Sequence, residues 1–324
     1  MSNLAENQQN DIVYGRGVIY DDITQTIGNT PLVKLSRFAE ALDVQANILA
    51  KIEFFNPAGS IKDRPALAMI EAMIADGRIK AGTEIIEATS GNNGVACAWI
   101  CALKKIPLTI VIPEHMSIER RKLIKHYGAK LVLTPKELGT KGAIDKAKAM
   151  IAQSENAVML DQFGNQANSA MHAKTTAQEI WTDTRGEVDV LVAGVGTGGT
   201  LSGIAQTLKA LNPKLKVVAV EPASCPVLSQ GKSGVHKIQG LSSGHVPDIL
   251  RRDLIDEVIT VSNEDAVSFA QDIACLESLP VGISSGAALN AAMKVGQRAE
   301  MKGKNIVTIL ADNAERYFST ELFD

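Results

Sequence analysis

The sequence has no excess charge of one sign, and this absence excludes several kinds of partner. Its 324 residues carry 33 Lys and Arg against 36 Asp and Glu, with no basic stripe and no acidic tail. We therefore expect no nucleic acid and no anionic membrane surface as the main partner. The longest apolar runs are of strand length, well short of the ~20 residues that a spanning helix needs, so no membrane span is predicted. Residues 1–20 are polar and lack the apolar core of a signal peptide.

Cysteine is also scarce, with four residues in the whole chain. Four cysteines in a chain of this length do not predict a disulfide framework. Cys97 and Cys101 are four residues apart on a predicted helix, but no histidine or third thiol is close enough in sequence to complete a metal site. We expect both to be buried as small apolar side chains, with no metal bound. This use of cysteine fits a reducing cytoplasm.

After residue 20 the sequence alternates short apolar strands with amphipathic helices. The predicted strands are 84–88, 108–112, 130–133, 158–160, 188–193, 217–220, 258–261 and 306–310. The predicted helices are 67–75, 95–105, 118–127, 141–152, 170–181, 201–211, 265–276 and 287–300. This alternation predicts an α/β fold of mostly parallel sheets with helices on both faces. The length exceeds the ~250–300 residues that one hydrophobic core usually serves, so two domains are expected. Ligands of such folds bind in loops at the carboxyl ends of the strands.

Lys62 is the first candidate functional residue. It lies in the run 56–64, N-P-A-G-S-I-K-D-R, between an apolar stretch and an amphipathic helix pattern. A lysine beside an apolar wall readily has its pKa lowered, and the neutral amine is the form that makes Schiff bases. By itself, the run also fits a lysine at a helix N-terminus.

The loop 89–94, T-S-G-N-N-G, joins a predicted strand to a predicted helix. Its hydroxyls, amides and free backbone N–H groups would form an anion site at a helix N-terminus. Because the loop has no lysine or arginine, a substrate carboxylate suits it better than a triphosphate. An elaborate helix cap explains the same residues equally well.

The loop 194–200, G-V-G-T-G-G-T, contains the spacing G-x-G-x-x-G. This spacing leaves a dinucleotide site open, with Glu221 at about the ~20-residue distance of a ribose-binding acid. The hydroxyls of Thr197 and Thr200 would converge with backbone donors on one point, which favours a compact phosphate monoester. No Walker lysine follows, so a nucleoside triphosphate is disfavoured.

A third loop, 282–287, reads G-I-S-S-G-A and also enters a helix. Ser284 could cap the helix or offer a neutral hydroxyl to a heterocyclic nitrogen. A Schiff-base lysine, a neutral phosphate cup, a carboxylate loop and a lone serine together match the requirements of pyridoxal 5'-phosphate (PLP). No Ser-His-Asp set is evident.

From about residue 19 onward the chain resembles the cysteine synthase (O-acetylserine sulfhydrylase) family of fold-type II PLP enzymes. The matching segments are 27–33, the Lys62 run, 89–94, 162–163, 194–200, 236–240, 282–286 and 315–320. The resemblance implies a tryptophan synthase β-like fold with two domains. Residues 1–54 and 166–324 would form the larger, phosphate-binding domain, and 55–165 the smaller, mobile one.

The resemblance also implies roles for individual residues. Lys62 would hold the cofactor as a Schiff base and then remove the substrate Cα proton. The residues that would bind the substrate carboxylate are Thr89, Ser90, Asn93 and Gln162. Those that would bind the cofactor are Asn92 at its phenolic oxygen, Gly196, Thr197, Gly198, Gly199 and Thr200 at its phosphate, and Ser284 at its pyridine nitrogen.

The implied reaction is PLP-dependent β-replacement of O-acetyl-L-serine by sulfide, which gives L-cysteine and acetate through an α-aminoacrylate intermediate. The family is usually homodimeric, and serine acetyltransferase is a possible partner. Two departures leave the leaving group and the nucleophile open. Asn93 stands where the family usually has threonine, and 241–245, L-S-S-G-H, replaces a more glycine-rich segment. The alternatives are cystathionine, lanthionine or β-cyanoalanine synthesis, cysteine desulfhydration, use of O-phosphoserine, dehydration of serine, an inert binder of serine acetyltransferase, and a nicotinamide-dependent oxidoreductase.

Overall fold

Two sheets organise the chain in the computed structural model, which describes residues 16–89, 91–114 and 116–324. In chain order the strands are β1 (Leu32–Lys34), β2 (Asn47–Ile52), β3 (Glu84–Ala88), β4 (Leu108–Pro113), β5 (Lys130–Thr134), β6 (Ala157–Val158), β7 (Val190–Gly194), β8 (Lys216–Pro222), β9 (Glu257–Val261) and β10 (Asn305–Leu310). The larger sheet has the order β1-β2-β10-β7-β8-β9 and the smaller one β5-β4-β3-β6. Every pairing is parallel except that of β1 with β2.

Helices cover these sheets. In chain order they are α1 (Ser36–Ala41), α2 (Asp63–Ala75), α3 (Asn92–Lys104), α4 (Ile118–His126), α5 (Gly139–Ala152), α6 (Ala167–Lys174), α7 (Thr176–Asp183), α8 (Gly199–Leu211), α9 (Val227–Gln230), α10 (Asn263–Glu277) and α11 (Ile283–Gly296). All six residues of β4 are buried, as expected for a parallel strand with both faces covered. Helix α2 buries Ala66, Met69, Ile70 and Met73, the spacing of one helical face.

Each of the eight predicted strands overlaps a strand of the structure, although β6 shares only Val158 with the predicted 158–160, and β1 and β2 are additional to the prediction. The predicted class of mostly parallel α/β sheets is confirmed. Cys97 and Cys101 are buried on α3, as predicted. Among the described residues, no helix is long and apolar enough to cross a membrane. The strands within 84–158 make up the smaller sheet, while the predicted domain boundaries stay a prediction.

The predicted helix 170–181 is wrong as a single element, because the chain forms α6 and α7 with a break at Thr175. This residue has φ −121° and ψ −74°, and its hydroxyl donates to the carbonyl of Met171 at 2.8 Å. Such a bond from a threonine to the carbonyl four residues earlier competes with the helix and bends it. Six other helices begin two to four residues before their predicted starts. In α3, α8 and α11 this difference places Asn92, Asn93, Gly199, Thr200 and Ser284 in first turns.

Candidate active site

Two cavities meet where the loops after β3, β7 and β10 come together. One has a volume of about 120 Å³ and the other about 60 Å³. Lys62, Asn92, Gly196 and Thr197 line both cavities, so the two adjoin. The position at the carboxyl ends of parallel strands is the one that the fold class predicts.

The structure brings nearly all predicted site residues to these cavities. The larger cavity is also lined by Thr89, Asn93 and Gln162, and the smaller one by Gly198, Thr200 and Ser284. Gly199 is the exception among the described residues, because it is buried beneath the wall. Ser90 lies outside the described residues.

Lys62 immediately precedes α2 and is half-buried in the wall that the cavities share. Burial lowers the pKa of its ammonium to about 8, although the negative charge of Asp312 acts in the opposite direction. The backbone fixes its position, since Ile61 N–H donates to the carbonyl of Ala311 at 2.8 Å. The amine is therefore held at the end of β10 with a raised neutral fraction.

The loop between β7 and α8 forms a cradle of backbone donors. The amides of Gly196, Thr197, Gly198 and Thr200 donate to no other described residue, while Gly199 N–H donates to the Thr197 hydroxyl at 3.3 Å. A Cβ on Gly196 would lie 2.3 Å from the carbonyl oxygen of Gly240. Only glycine therefore allows this close packing, and the free N–H groups at the start of α8 suit a phosphate.

Ser284 lies on the wall of the smaller cavity, in the first turn of α11. The residue that precedes this helix is Gly282, and no side chain caps it, so the capping interpretation of Ser284 is wrong. The neighbouring Ser285 hydroxyl instead accepts the N–H of Ala311 at 2.9 Å. Ser284 thus offers the cavity a neutral hydroxyl.

Asn93 is buried in the wall of the larger cavity, and neither polar atom of its side chain has a partner among the described residues. An unpaired buried amide is costly, which marks this group for a polar ligand. Thr89 lies beside it at the end of β3.

Gln162 reaches the larger cavity from a loop that is held at several points. Asn168 Nδ2 donates to the carbonyl of Gln162 at 2.9 Å and to the Thr197 hydroxyl at 3.2 Å. Glu87 Oε2 accepts the N–H groups of Leu160 at 3.0 Å and Asp161 at 3.3 Å. The loop of Gln162 is thereby tied both to β3 and to the phosphate cradle.

Sequence reasoning missed the groups that surround Asn92. Its amide contacts Asp312, Arg316 and Arg120, and Tyr317 O–H donates to the same carboxylate oxygen of Asp312 at 2.7 Å. The segment 315–320 is one of the matched markers, so Arg316 and Tyr317 carried a signal. Arg120 carried none, because it is one of several charged residues on the amphipathic helix α4.

The donor set fits PLP and does not fit a dinucleotide. Glu221, the candidate ribose ligand, is buried and accepts the N–H of Leu228 at 2.7 Å and the hydroxyl of Ser229 at 2.6 Å. It is used to hold α9 and does not line either cavity. A neutral cradle for one phosphate, an amine at Lys62 and a neutral hydroxyl at Ser284 are the groups that PLP needs. No cluster of three metal-ligating side chains occurs in the described part of the chain.

Comparisons with known proteins agree with this site. The family model for "Pyridoxal-phosphate dependent enzyme" matches residues 23–312. The chain is 47% identical to cysteine synthase B of Campylobacter jejuni over 94% of its own length and 99% of that protein. It is 46% identical to cysteine synthase A of Escherichia coli over 94% and 96% of the two chains.

Among solved structures, the chain is similar to a cysteine synthase from Entamoeba histolytica. The TM-score is 0.93 at 41% identity, with 98% of this chain and 94% of the other covered. These matches confirm the predicted fold-type II class and the predicted dependence on PLP. The chain belongs to the pyridoxal-phosphate-dependent enzymes and, among them, to the cysteine synthase family.

Proposed function

We propose that the protein converts O-acetyl-L-serine and sulfide to L-cysteine and acetate by β-replacement. The observation that carries this proposal is the convergence of Lys62, the phosphate cradle and the amide of Asn93, which has no partner among the described residues, on two adjoining cavities. The relatives named cysteine synthase match nearly the whole chain, which supports the same class of reaction.

The site would hold PLP through groups at both of its ends. The cradle 196–200 would bind the phosphate, Ser284 would face the pyridine nitrogen, and Asn92 the phenolic oxygen. When bound, PLP supplies an electron sink for the pair that is left at the substrate Cα. Proton transfer and orientation of the substrate would be carried out by side chains of this chain.

Lys62 Nζ would be the proton carrier. An amine with a pKa of about 8 has a substantial neutral fraction near neutral pH, and the neutral form can accept the Cα proton. Because Lys62 lines both cavities, it would stand between the proposed cofactor groups and the proposed substrate groups. The same position favours proton transfer over a short distance once substrate is bound.

Thr89, Asn93 and Gln162 would orient the substrate through its carboxylate, together with Ser90. All are neutral donors, so they would bind the anion by hydrogen bonds. Ser284 adds to this pattern. A neutral hydroxyl cannot stabilise a protonated pyridinium as a carboxylate would, so the ring would be a weaker electron sink. This favours prompt loss of a β-substituent over racemisation or transamination.

Assembly and location are further parts of the proposal. Residues 55–165 would act as a mobile domain that keeps water from the site, and the protein would form a homodimer in the cytoplasm. Ile19, Ile23, Val33 and Phe55 are exposed apolar side chains that a second copy would cover. Serine acetyltransferase would be a further partner, and size measurement with and without that enzyme tests both associations.

Visible absorbance tests the reaction. The purified protein should be yellow, its band should shift when O-acetylserine is added, and sulfide should restore the first spectrum with release of cysteine. A colourless protein that takes up no PLP would contradict the proposal. A yellow protein whose spectrum does not change with O-acetylserine but changes with O-phosphoserine or cysteine would show that one of these is the substrate instead. Pyruvate and ammonia from serine without any thiol would identify a dehydratase.

A further inference from the structure

We infer that Asp312 is a positioning residue that fixes the side-chain amide of Asn92 with one N–H directed at the cofactor. The inference rests on the proposed function, because it concerns the side chain that would meet the phenolic oxygen of PLP. It adds a buried carboxylate, 220 residues away in sequence, to the cofactor site.

The bonds around Asn92 define which way its amide points. Nδ2 donates to Asp312 Oδ2 at 2.6 Å, while Oδ1 accepts from Arg316 Nη1 at 2.7 Å and from Arg120 Nε at 3.3 Å. An amide has two N–H donors and two acceptor lone pairs. Both lone pairs and one N–H are therefore used, and the second N–H remains for a ligand in the cavities that Asn92 lines.

Charge makes this orientation exclusive. A flipped amide would turn its oxygen toward the carboxylate of Asp312 and its N–H groups toward two guanidinium groups. Each charge-assisted hydrogen bond would become a repulsive contact. The arrangement of one anion and two cations thus holds the spare N–H in a single direction.

Asp312 is itself held firmly. It is fully buried, its Oδ2 also accepts the Tyr317 hydroxyl at 2.7 Å, and Arg120 Nη2 lies 3.7 Å from the same oxygen. A Cβ on Gly282 would lie 2.1 Å from its Oδ1, so the pocket is shaped around the carboxylate. The backbone of Asp312 also forms a bridge with Ser60, in the run that carries Lys62.

The same bonds connect the two sheets, so a purely structural role is the competing explanation. Asn92 begins the helix after β3 of the smaller sheet, and Asp312 follows β10 of the larger one. A purely structural role requires only a hydrogen-bond donor at one of these positions and an acceptor at the other, in either order. The positioning role needs the amide at position 92, and exchange of the two side chains separates these requirements.

The test compares the wild-type holoenzyme with D312N, N92D and the exchanged variant N92D/D312N. The measurements are the thermal midpoint, the absorbance maximum, and the rate at which PLP is lost on dilution. We expect D312N and N92D to lose PLP at least tenfold faster than wild type and to unfold at lower temperature. In the exchanged variant the amide of residue 312 can donate to the carboxylate of residue 92, so stability should return. Loss of PLP should stay at least tenfold faster and the absorbance maximum should stay shifted, because no N–H remains at position 92.

Glu119→Gln provides the control. Glu119 on α4 accepts the N–H of Ser319 at 2.9 Å, a contact with the same C-terminal segment that does not involve Asn92. This variant should lose stability and retain PLP within twofold of wild type. An exchanged variant that regains both stability and PLP retention would overturn the inference. If the single variants do not fold, the comparison of the exchanged variant with wild type is a sufficient test. Wild-type protein that holds no PLP would overturn the proposed function instead, and this inference with it.

Discussion

The guanidinium of Arg64 and the carboxylate of Glu179 form a two-point ion pair, with Nη1–Oε1 and Nη2–Oε2 both at 2.7 Å. Arg64 is fully buried and also binds Glu53 through Nε at 2.8 Å. Lys51 Nζ lies 2.8 Å from Glu179 Oε2. Since Arg64 is two residues after Lys62 on the same helix start, this cluster fixes the segment that presents the amine.

Glu179→Gln should therefore destabilise the protein most at neutral pH. Burial alone would raise the pKa of Glu179, but the charges and hydrogen bonds of Arg64 and Lys51 lower it to about 2. A carboxyl with a lowered pKa contributes stability that is present above its unfolded value, near pH 4.5, and is lost as pH falls toward about 2. Loss of one member of a buried pair costs about 3 kcal/mol. Urea unfolding of wild type and variant should show that difference at pH 7 and a smaller one at pH 3.

The exposed Glu155 supplies the comparison for this experiment. Glu155→Gln should change the unfolding free energy by no more than about 0.5 kcal/mol at either pH. A Glu179→Gln variant that behaves like Glu155→Gln would show that the cluster contributes nothing.

Lys62→Ala should abolish the covalent attachment of PLP and all β-elimination. The fold should survive, because Lys62 makes no side-chain capping bond to α2 and its backbone dihedrals, φ −71° and ψ −15°, are ones that alanine adopts readily. Visible absorbance and product assay measure the two losses, and circular dichroism checks the fold. Lys122→Ala, at an exposed lysine of α4, should be yellow and active. Normal turnover by Lys62→Ala would refute the assignment of the amine.

Local signals predicted the elements well and their first turns poorly. Strand β3 has the predicted bounds, because its apolar run ends sharply at the polar loop. Helix α3 begins three residues before its apolar pattern does, since Asn92 and Asn93 are polar and hydrophobic periodicity does not register them. The same cause hid the first turn of α11, and with it the true position of Ser284.

Long-range contacts set the limit of what could be predicted in the site. The glycine-rich loops and Lys62 stand out in one sequence because their residue types are unusual at strand-to-helix junctions. Asp312 does not stand out, since a single aspartate in a polar segment gives no sign that it will be buried beside Asn92. Glu87 is a second example, because only the fold brings the 160–162 loop onto its carboxylate.

Glu87→Gln should weaken substrate binding more than it slows the chemical step. Burial, together with the nearby charge of Asp161, raises the pKa of Glu87 to about 7. The N–H groups of the 160–162 loop favour the ionised carboxylate and so act in the opposite direction. In wild type, KM for O-acetylserine should fall as pH rises through about 7, because the ionised carboxylate holds the loop of Gln162 more firmly. The variant should show a KM several-fold higher and no step near pH 7, with kcat changed less than KM.

Glu84→Gln is the matched control on the same strand. Glu84 accepts the hydroxyl of Thr109 at 2.7 Å and lies away from both cavities. The KM and pH profile of this variant should follow those of wild type.

Stability gives an independent check on Glu87. Because its pKa is raised, the contribution of its carboxyl to the free energy of unfolding is full below about pH 4.5 and is lost as pH rises to about 7. Wild type should therefore lose stability relative to Glu87→Gln over that range, and equal pH dependence would contradict the assigned shift.

Asn93→Ala should raise KM for O-acetylserine about tenfold, the effect of one lost hydrogen bond to a charged group. The side chain is buried in the cavity wall and neither polar atom has a partner within the part of the chain that the structure describes, so its partner is expected to be the substrate carboxylate. PLP retention should be unchanged, because Asn93 lines the larger cavity and not the smaller one with the phosphate cradle. Asn93→Thr should restore most of the affinity by supplying a hydroxyl. Steady-state kinetics with O-acetylserine, O-phosphoserine and cysteine measure the change for each substrate. A tenfold loss with O-acetylserine alone would show that Asn93 contacts the leaving group, since a contact with the carboxylate affects all three substrates alike.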